Sequence, residues 1–300
     1  MQKTILILSF IFMALPSYSL LFANDKCGSL FQTKLQHFES LLPRSEDPDG
    51  MVTTSEQVPL SSPAIIEAYR HGAFPWNPTA DGSVKWYNPP KHGYMELEKI
   101  ALRSGKKFRH LRHAMNKADT KGWRVTFNQS FEQVIKACAE HYRKNYSHVW
   151  LTSEVQAAFT KLHKEGWAHS VEVWNKEGDL IGGTYGIYIE GVFSGESMFN
   201  HNVRVRLERE KLNENRAPED KLNTIEIVDD AGKVAVLSLA DLLYQHGHRI
   251  MDTQTVNDNT RSNYKALEVP REDYLRLVRQ EREAYLKRGA INPFLQVSGD

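Results

Sequence analysis

Cysteine is scarce in this chain, with only Cys27 and Cys138 among 300 residues. Two thiols allow at most a single disulfide, which excludes a disulfide-built scaffold, and neither has the close neighbour a thiolate zinc site needs. Cys138 falls on the apolar side of an expected helix and reads as an inert core residue. The histidines are scattered without paired ligand spacing, so no metal and no cofactor is expected. A Ser/His/Asp or Cys/His nucleophile set is not evident either. Charge of one sign is also lacking. With 38 basic and 37 acidic residues, the overall balance says nothing about nucleic acid. Beyond the N-terminus there is no run of about eighteen apolar residues, so a soluble body is expected. No internal repeat appears.

What the chain does have is 41% hydrophobic residues, enough for a core in one large or two small domains. Lys3 precedes an apolar run from Ile5 to Leu15, followed by Pro16 and small residues around Ser19 and Ala23. That order describes a secretory signal peptide ending at Ser19 or Ala23, or an uncleaved membrane anchor, over residues 1–23. Export or anchoring is expected. Residues 24–57 are polar, hold Pro43, Pro48 and Gly50, and read as a spacer. A small N-terminal subdomain is expected over 58–121, a larger domain over 122–290 and a tail over 291–300.

Helical grammar begins at Ser62-Pro63 and closes at Gly72, with Ile65, Ile66 and Tyr69 on one side. Phe74-Pro75-Trp76-Asn77-Pro78 and Trp86-Tyr87-Asn88-Pro89-Pro90 read as proline-stiffened loops that carry aromatics. Such rings suit a planar base; covering one end of the core would explain them equally. Arg124–Phe127 alternates as a strand, and helices are expected from Ser130 and near Ser153. From His169 the period becomes two, with turns at Lys176–Asp179 and Glu190-Gly191, which predicts an antiparallel meander ending at Phe199. A charged insert over 201–229 follows, balanced in sign and read as a solvated helix or loop. Val234–Tyr244 then predicts a packed helix ended by Gly247, His248–Gln254 a strand, and Pro270 onward a last helix with Tyr274, Leu275, Val278 and Leu286. The order is that of an α+β protein with helices packed over a mixed, mainly antiparallel sheet.

Chemistry concentrates in three places. Glu196 in Gly195-Glu196-Ser197-Met198-Phe199 and Asp252 in Met251-Asp252-Thr253-Gln254 lie inside apolar runs, where an unpartnered carboxylate is costly to bury. Each needs a partner or a task, and two structural acids at strand ends would meet that need as well. The third place is a positive stretch with Arg103, Lys106, Lys107, Arg109 and Arg112, interrupted only by Asp119 before Arg124. It can meet phosphates, or it is a solvated helix face.

Together with Gly182-Gly183-Thr184-Tyr185-Gly186, Gly72–Trp76, Trp86–Pro89 and Trp150-Leu151-Thr152, these motifs stand in an order that resembles the leucyl/phenylalanyl-tRNA–protein transferase family. The resemblance runs from about Pro63 to about Leu277, broken by the insert. It implies a GNAT-type acyltransferase core and transfer of Leu, Phe or Met from aminoacyl-tRNA to the N-terminal Arg or Lys of a protein. By that likeness Asp252 orients the cationic acceptor, Gln254 relays or accepts a proton, and Glu196 holds the constellation. Trp76 and Trp150 stack on or wall in the terminal adenosine. The donor and acceptor would also meet Tyr185, Thr184, Phe193, Met198, Leu239, Leu243 and Met251, with Arg103, Lys106, Lys107, Arg109 and Arg112 on the RNA. A monomer is expected, and the implied activity would place it in the cytoplasm, against the N-terminal segment.

The sequence also departs from the family pattern. Asp230-Ala231-Gly232-Lys233 stands where the family has Asn-Ala-Ser-Lys, and Leu239 and Leu243 stand where aromatics are common. Thr184 occupies a position that is usually apolar. Its hydroxyl must be satisfied by the strand backbone or by substrate; weaker use of Phe than of Leu or Met is expected, with Phe use recovered in Thr184→Met. Two other readings share these residues: an exported acyltransferase of the same fold that no longer uses tRNA, and a non-catalytic binder of basic N-termini.

Overall fold

The computed structural model describes residues 50–79, 82–145, 150–200 and 230–297, with Gln36 and Ser40. The apolar segment 1–23, Cys27, most of the spacer, the insert 201–229 and the end of the tail lie outside the described residues. Among the described residues no helix is long and apolar enough to cross a membrane.

The predicted meander is the centre of the molecule. Its strands are β6 (Ala168–Trp174), β7 (Leu180–Ile189) and β8 (Val192–Asn200). Glu190 and Gly191 both have positive φ (47° and 95°), the backbone of a tight two-residue hairpin whose twist matches its strands. With β4 (Lys91–Glu96), β5 (Arg124–Phe127), β9 (Ile250–Gln254) and β10 (Leu267–Pro270) they form a seven-stranded sheet of order β10-β4-β9-β8-β7-β6-β5. All neighbours are antiparallel except β8 and β9.

The segments read as proline loops contribute strands, though Asn88-Pro89-Pro90 stays outside any strand. β2 (Phe74–Pro78) and β3 (Val84–Tyr87) join β1 (Met51–Thr54) in a small sheet of order β1-β3-β2. Proline cannot donate to a ladder, and Pro75 and Pro78 are tolerated because β2 is an edge strand. The end of the supposed spacer therefore belongs to a sheet, and Val58 beyond it is buried. The stretch 58–121 divides its strands between the two sheets, because β4 joins the large one. Neither β4 nor β10 was expected: one holds a glycine and the other ends in proline, and both are short.

Helices cover both faces of the large sheet. On one face lie α1 (Ser62–Arg70), α4 (Phe131–Asn145) and α5 (Ser153–Lys164), which share a core with Trp86, Tyr185, Ile187 and Phe199. On the other, α2 (Leu97–Leu102), α3 (Arg109–Lys121) and α6 (Ala231–Gln245) share a core with Val171, Tyr188, Phe193 and Met251. The chain closes with α7 (Asp258–Tyr264), α8 (Arg271–Arg288) and α9 (Phe294–Val297). Local signals shift by a residue: Ser61 rather than Ser62 occupies the N-cap of α1, and Thr152 caps α5 by accepting from the Val155 amide. Leu286 lies in the last helix as expected and is exposed. Cys138 is a free, buried thiol, and burial pushes it up to about 12, which makes it a poor nucleophile.

Candidate active site

The parallel pair is where the sheet opens. β8 and β9 pair only at Phe193–Met251 and Ser194–Asp252, and beyond those rows the ladder between them ends. A cavity of about 850 Å³ occupies this end of the sheet, lined by residues 195–200 of β8 and by Met251, Thr253, Gln254 and Thr255. Trp76 and Trp150, which belong to one core, and Met95, Met198, Val236, Met251 and Tyr264, which belong to the other, all reach its wall. The gap between the strands thus connects the two faces of the sheet.

Both strands present their polar residues through bulges. Opposite β8, Tyr185 pairs with Ser197 and Gly186 with Gly195, so Glu196 is the extra residue of a β-bulge. The chains approach so closely there that a Cβ on Gly186 would lie 2.2 Å from the Ser194 carbonyl oxygen. Opposite β9, Gly93 pairs with Gln254 and Tyr94 with Asp252, leaving Thr253 unpaired. Gln254 has φ 60°, a left-handed conformation a residue with a side chain adopts at a cost. Bulges re-aim side chains, and here they turn Glu196 and Gln254 toward each other.

The resulting network is asymmetric. Tyr69 of α1 donates its hydroxyl to Glu196 Oε1 at 2.6 Å, and Gln254 Nε2 donates to the same oxygen at 2.9 Å. Glu196 Oε2 is buried and has no partner. Burial pushes the Glu196 carboxyl up to about 8, against the pull of its two donors, and nearby Asp252 adds to the rise. Asp252 differs. Its Oδ2 accepts from Ser194 Oγ and its Oδ1 from the Gln254 amide, both at 2.8 Å, and the Tyr274 hydroxyl bonds to it as well. Burial still carries it up to about 6. A third buried carboxylate, Glu172, is satisfied by Thr126, Ser170 and the amides of Gln129 and Ser130 ahead of α4. Leaving a buried oxygen unmet costs about 1–3 kcal/mol. Glu196 alone of the three carries that cost, and it is the one on the cavity wall.

The remaining expected site residues divide. Thr184, Met198 and Met251 line the cavity with Trp76 and Trp150, while Tyr185, Phe193, Leu239 and Leu243 lie in the cores behind the wall. Asp252 also stands behind it, between lining residues Met251 and Thr253. Thr184 Oγ1 donates to the Ser197 carbonyl at 2.9 Å, so the backbone takes the hydroxyl and the reason for weaker Phe use disappears. Thr184→Met is accordingly expected to leave the ratio of Phe to Leu transfer within about twofold, a gap under roughly 0.5 kcal/mol, checked with matched charged donors. Trp76 and Trp150 stack on each other, with centroids 5.5 Å apart and planes 14° apart.

In the basic stretch, Arg103 forms a two-pronged bond with Asp241 of α6 (2.8 and 3.0 Å), and Arg112 donates to the carbonyls of Arg103 and Gly105. Lys106, Lys107 and Arg109 are exposed. His110 bonds the Asn263 carbonyl and ties this surface to α7, whose Asp258, Asn259, Thr260 and Tyr264 line the cavity. Among the described residues no group of three His, Cys, Asp or Glu is placed to hold a metal ion. Tyr69, Ser194 and Tyr274 escaped sequence reasoning; Tyr69 was visible only as one apolar position of a helix.

A mixed sheet that opens at its one parallel pair, with buried carboxylates at the opening, makes an acyltransferase-like core. Models of the leucyl/phenylalanyl-tRNA protein transferase N-terminal domain and of leucyl/phenylalanyl-tRNA protein transferase match residues 59–90 and 101–205. Proteins named leucyl/phenylalanyl-tRNA–protein transferase are similar over most of the chain. That of Escherichia fergusonii is 32% identical over 237 residues, 79% of this chain and 83% of the relative. That of Salmonella newport is 31% identical over 230 residues, 76% and 80%. The chain belongs to the leucyl/phenylalanyl-tRNA protein transferase family and is a transferase. Solved structures similar to it include FemX (TM-score 0.41, 8% identical, 70% of this chain and 66% of that one). Another is L-PGS from Bacillus licheniformis (TM-score 0.34, 13% identical, 62% and 47%).

Proposed function

We propose that the protein moves an apolar aminoacyl group (Leu, Phe or Met) from aminoacyl-tRNA to the amine of a protein that begins with Arg or Lys. The observation that carries this is Glu196: a buried carboxylate on the cavity wall, both donors on one oxygen, the other unmet. A cationic acceptor supplies what that oxygen lacks. Met95, Met198, Val236 and Met251 offer an apolar wall for the acyl side chain, and Trp76 a ring face for the terminal base. The opening of β8 from β9 supports a GNAT-type core.

With no nucleophile set among the described residues of the site, the amine attacks the ester carbon directly. A C–N bond forms, the ester C–O bond breaks, and the proton lost by nitrogen ends on the ribose oxygen. Gln254 gives its Nε2 to Glu196, which leaves its amide oxygen to meet the attacking amine. Asp252 holds Gln254 through its backbone amide and so acts from behind the wall. Lys106, Lys107 and Arg109 lead the RNA to the cavity rim.

The apolar segment 1–23 favours a second reading, in which an exported protein of this fold uses another acyl donor. The test offers labelled leucyl-tRNA and peptides beginning with Arg, Lys or N-acetylated Arg. Label is expected on the first two only. Reversing Lys106, Lys107 and Arg109 to Glu is expected to weaken tRNA binding and flatten its salt dependence, by up to about 0.9 in log–log slope per lost phosphate contact. A protein without salt-sensitive RNA binding fits the second reading.

A further inference from the structure

We propose that Tyr69 is a positioning residue for the transfer: its hydroxyl fixes Glu196 by one oxygen, reserves the other for the acceptor's cation, and favours the ionised carboxylate that cation needs. This rests on the acceptor site described above and adds a residue from the other part of the chain. α1 neighbours the small sheet, and Tyr69 reaches across to a bulge on β8, so the packing of α1 against the large sheet sets the acceptor site.

The geometry leaves little freedom. Tyr69 is buried, and its hydroxyl lies 2.6 Å from Glu196 Oε1 and 3.5 Å from Gln254 Nε2. Burial, with Glu196 beside it, holds the Tyr69 hydroxyl well above its usual range, so it stays protonated and donates. A hydrogen bond given to a carboxylate favours its charged form, and Tyr69 is the first of the groups that draw Glu196 downward. The other groups facing this pair are Gln254 and Asp252 of β9 and Tyr185 of β7, with Tyr274 of α8 behind Asp252 and His141 of α4 on the cavity wall. Among the described residues no Lys or Arg pairs with Glu196. The neutral donors therefore do all the favourable work until the acceptor arrives.

Tyr69→Phe keeps the ring and removes only the hydroxyl. The sign is fixed: losing a donor raises the Glu196 pKa, so the rising limb of transfer rate against pH moves upward. A charge-assisted hydrogen bond implies a shift of about one pH unit or more. The acceptor's own amine titrates alike with both proteins, so the difference belongs to the enzyme. The donor KM is expected to stay unchanged, because the Tyr69 hydroxyl meets Glu196 and Gln254 and does not itself line the cavity. A uniform loss at every pH, or no change, would overturn the proposal.

A second readout needs no turnover. The infrared difference between the protein and Glu196→Gln isolates the protonated Glu196 carboxyl, whose band should titrate near 8 and later in Tyr69→Phe. A midpoint unmoved by Tyr69→Phe sinks the positioning role even if transfer is never observed. A protein whose midpoint moves but which transfers nothing sinks the acceptor reading and keeps the Tyr69–Glu196 coupling.

Discussion

Asp252→Ala is expected to slow transfer by about a hundredfold while changing tRNA affinity less than about threefold. Asp252 touches neither cavity nor substrate in this reading. Its Oδ1 accepts the Gln254 amide at 2.8 Å, closing a local turn two residues long that holds Gln254 at φ 60°. Without that acceptor the strained residue relaxes toward ordinary strand geometry, and its side chain leaves Glu196. Displacement of about 1 Å at a reacting group is enough for a hundredfold loss. Asp252→Asn is the informative control. It keeps an oxygen for the Gln254 amide, and the Ser194 and Tyr274 hydroxyls can turn to accept from its amide, so activity within about tenfold of the unsubstituted protein is expected. Initial rates with leucyl-tRNA, beside filter binding of the same tRNA, separate the effects. Unchanged turnover in Asp252→Ala removes the residue from the site.

This assignment shows how far the sequence could be read. The meander was legible because turn residues separate its strands: Lys176–Asp179 and Glu190-Gly191 force reversals whatever the rest of the chain does. The two acids were legible because a carboxylate in an apolar run demands explanation. Their different hydrogen bonding was not, because it depends on bulges. A strict period of two says nothing about Glu196 being skipped by β7 or Thr253 by β4. Tyr69 was hidden for another reason. On a helix it counted as one more apolar position, and its hydroxyl finds its partner 127 residues away. The small sheet was missed because proline argues for loops until an edge strand is allowed. The basic stretch is divided in a way its residue types do not show. Arg103 and Arg112 look like Lys106 and Lys107 in sequence, yet they bind Asp241 and backbone carbonyls.

The two tryptophans separate binding from folding, and their variants are expected to fail in different ways. Trp150 is almost fully buried and is stacked against Trp76, which is only half-buried and lines the cavity beside it. A base cannot enter between rings already in contact, so in the proposed reading it stacks on the other face of Trp76. Stacking on one aromatic ring is worth about 1–3 kcal/mol per base, which predicts a donor KM about 10- to 100-fold higher in Trp76→Ala. Its melting temperature should move little, since the side chain lies at the rim of the core. Trp150→Ala empties a core position instead. Such truncations cost about 3–5 kcal/mol, on the order of 10 °C in a chain of this size. Its donor KM should rise as well, because Trp76 loses the ring that supports it. Trp150→Phe retains a supporting ring and should recover most of the stability and part of the binding. Thermal melts read against donor titrations decide the matter. Equal losses of affinity in Trp76→Ala and Trp150→Ala, with no difference in melting temperature, would mean that both rings meet the base and that the pair opens to admit it.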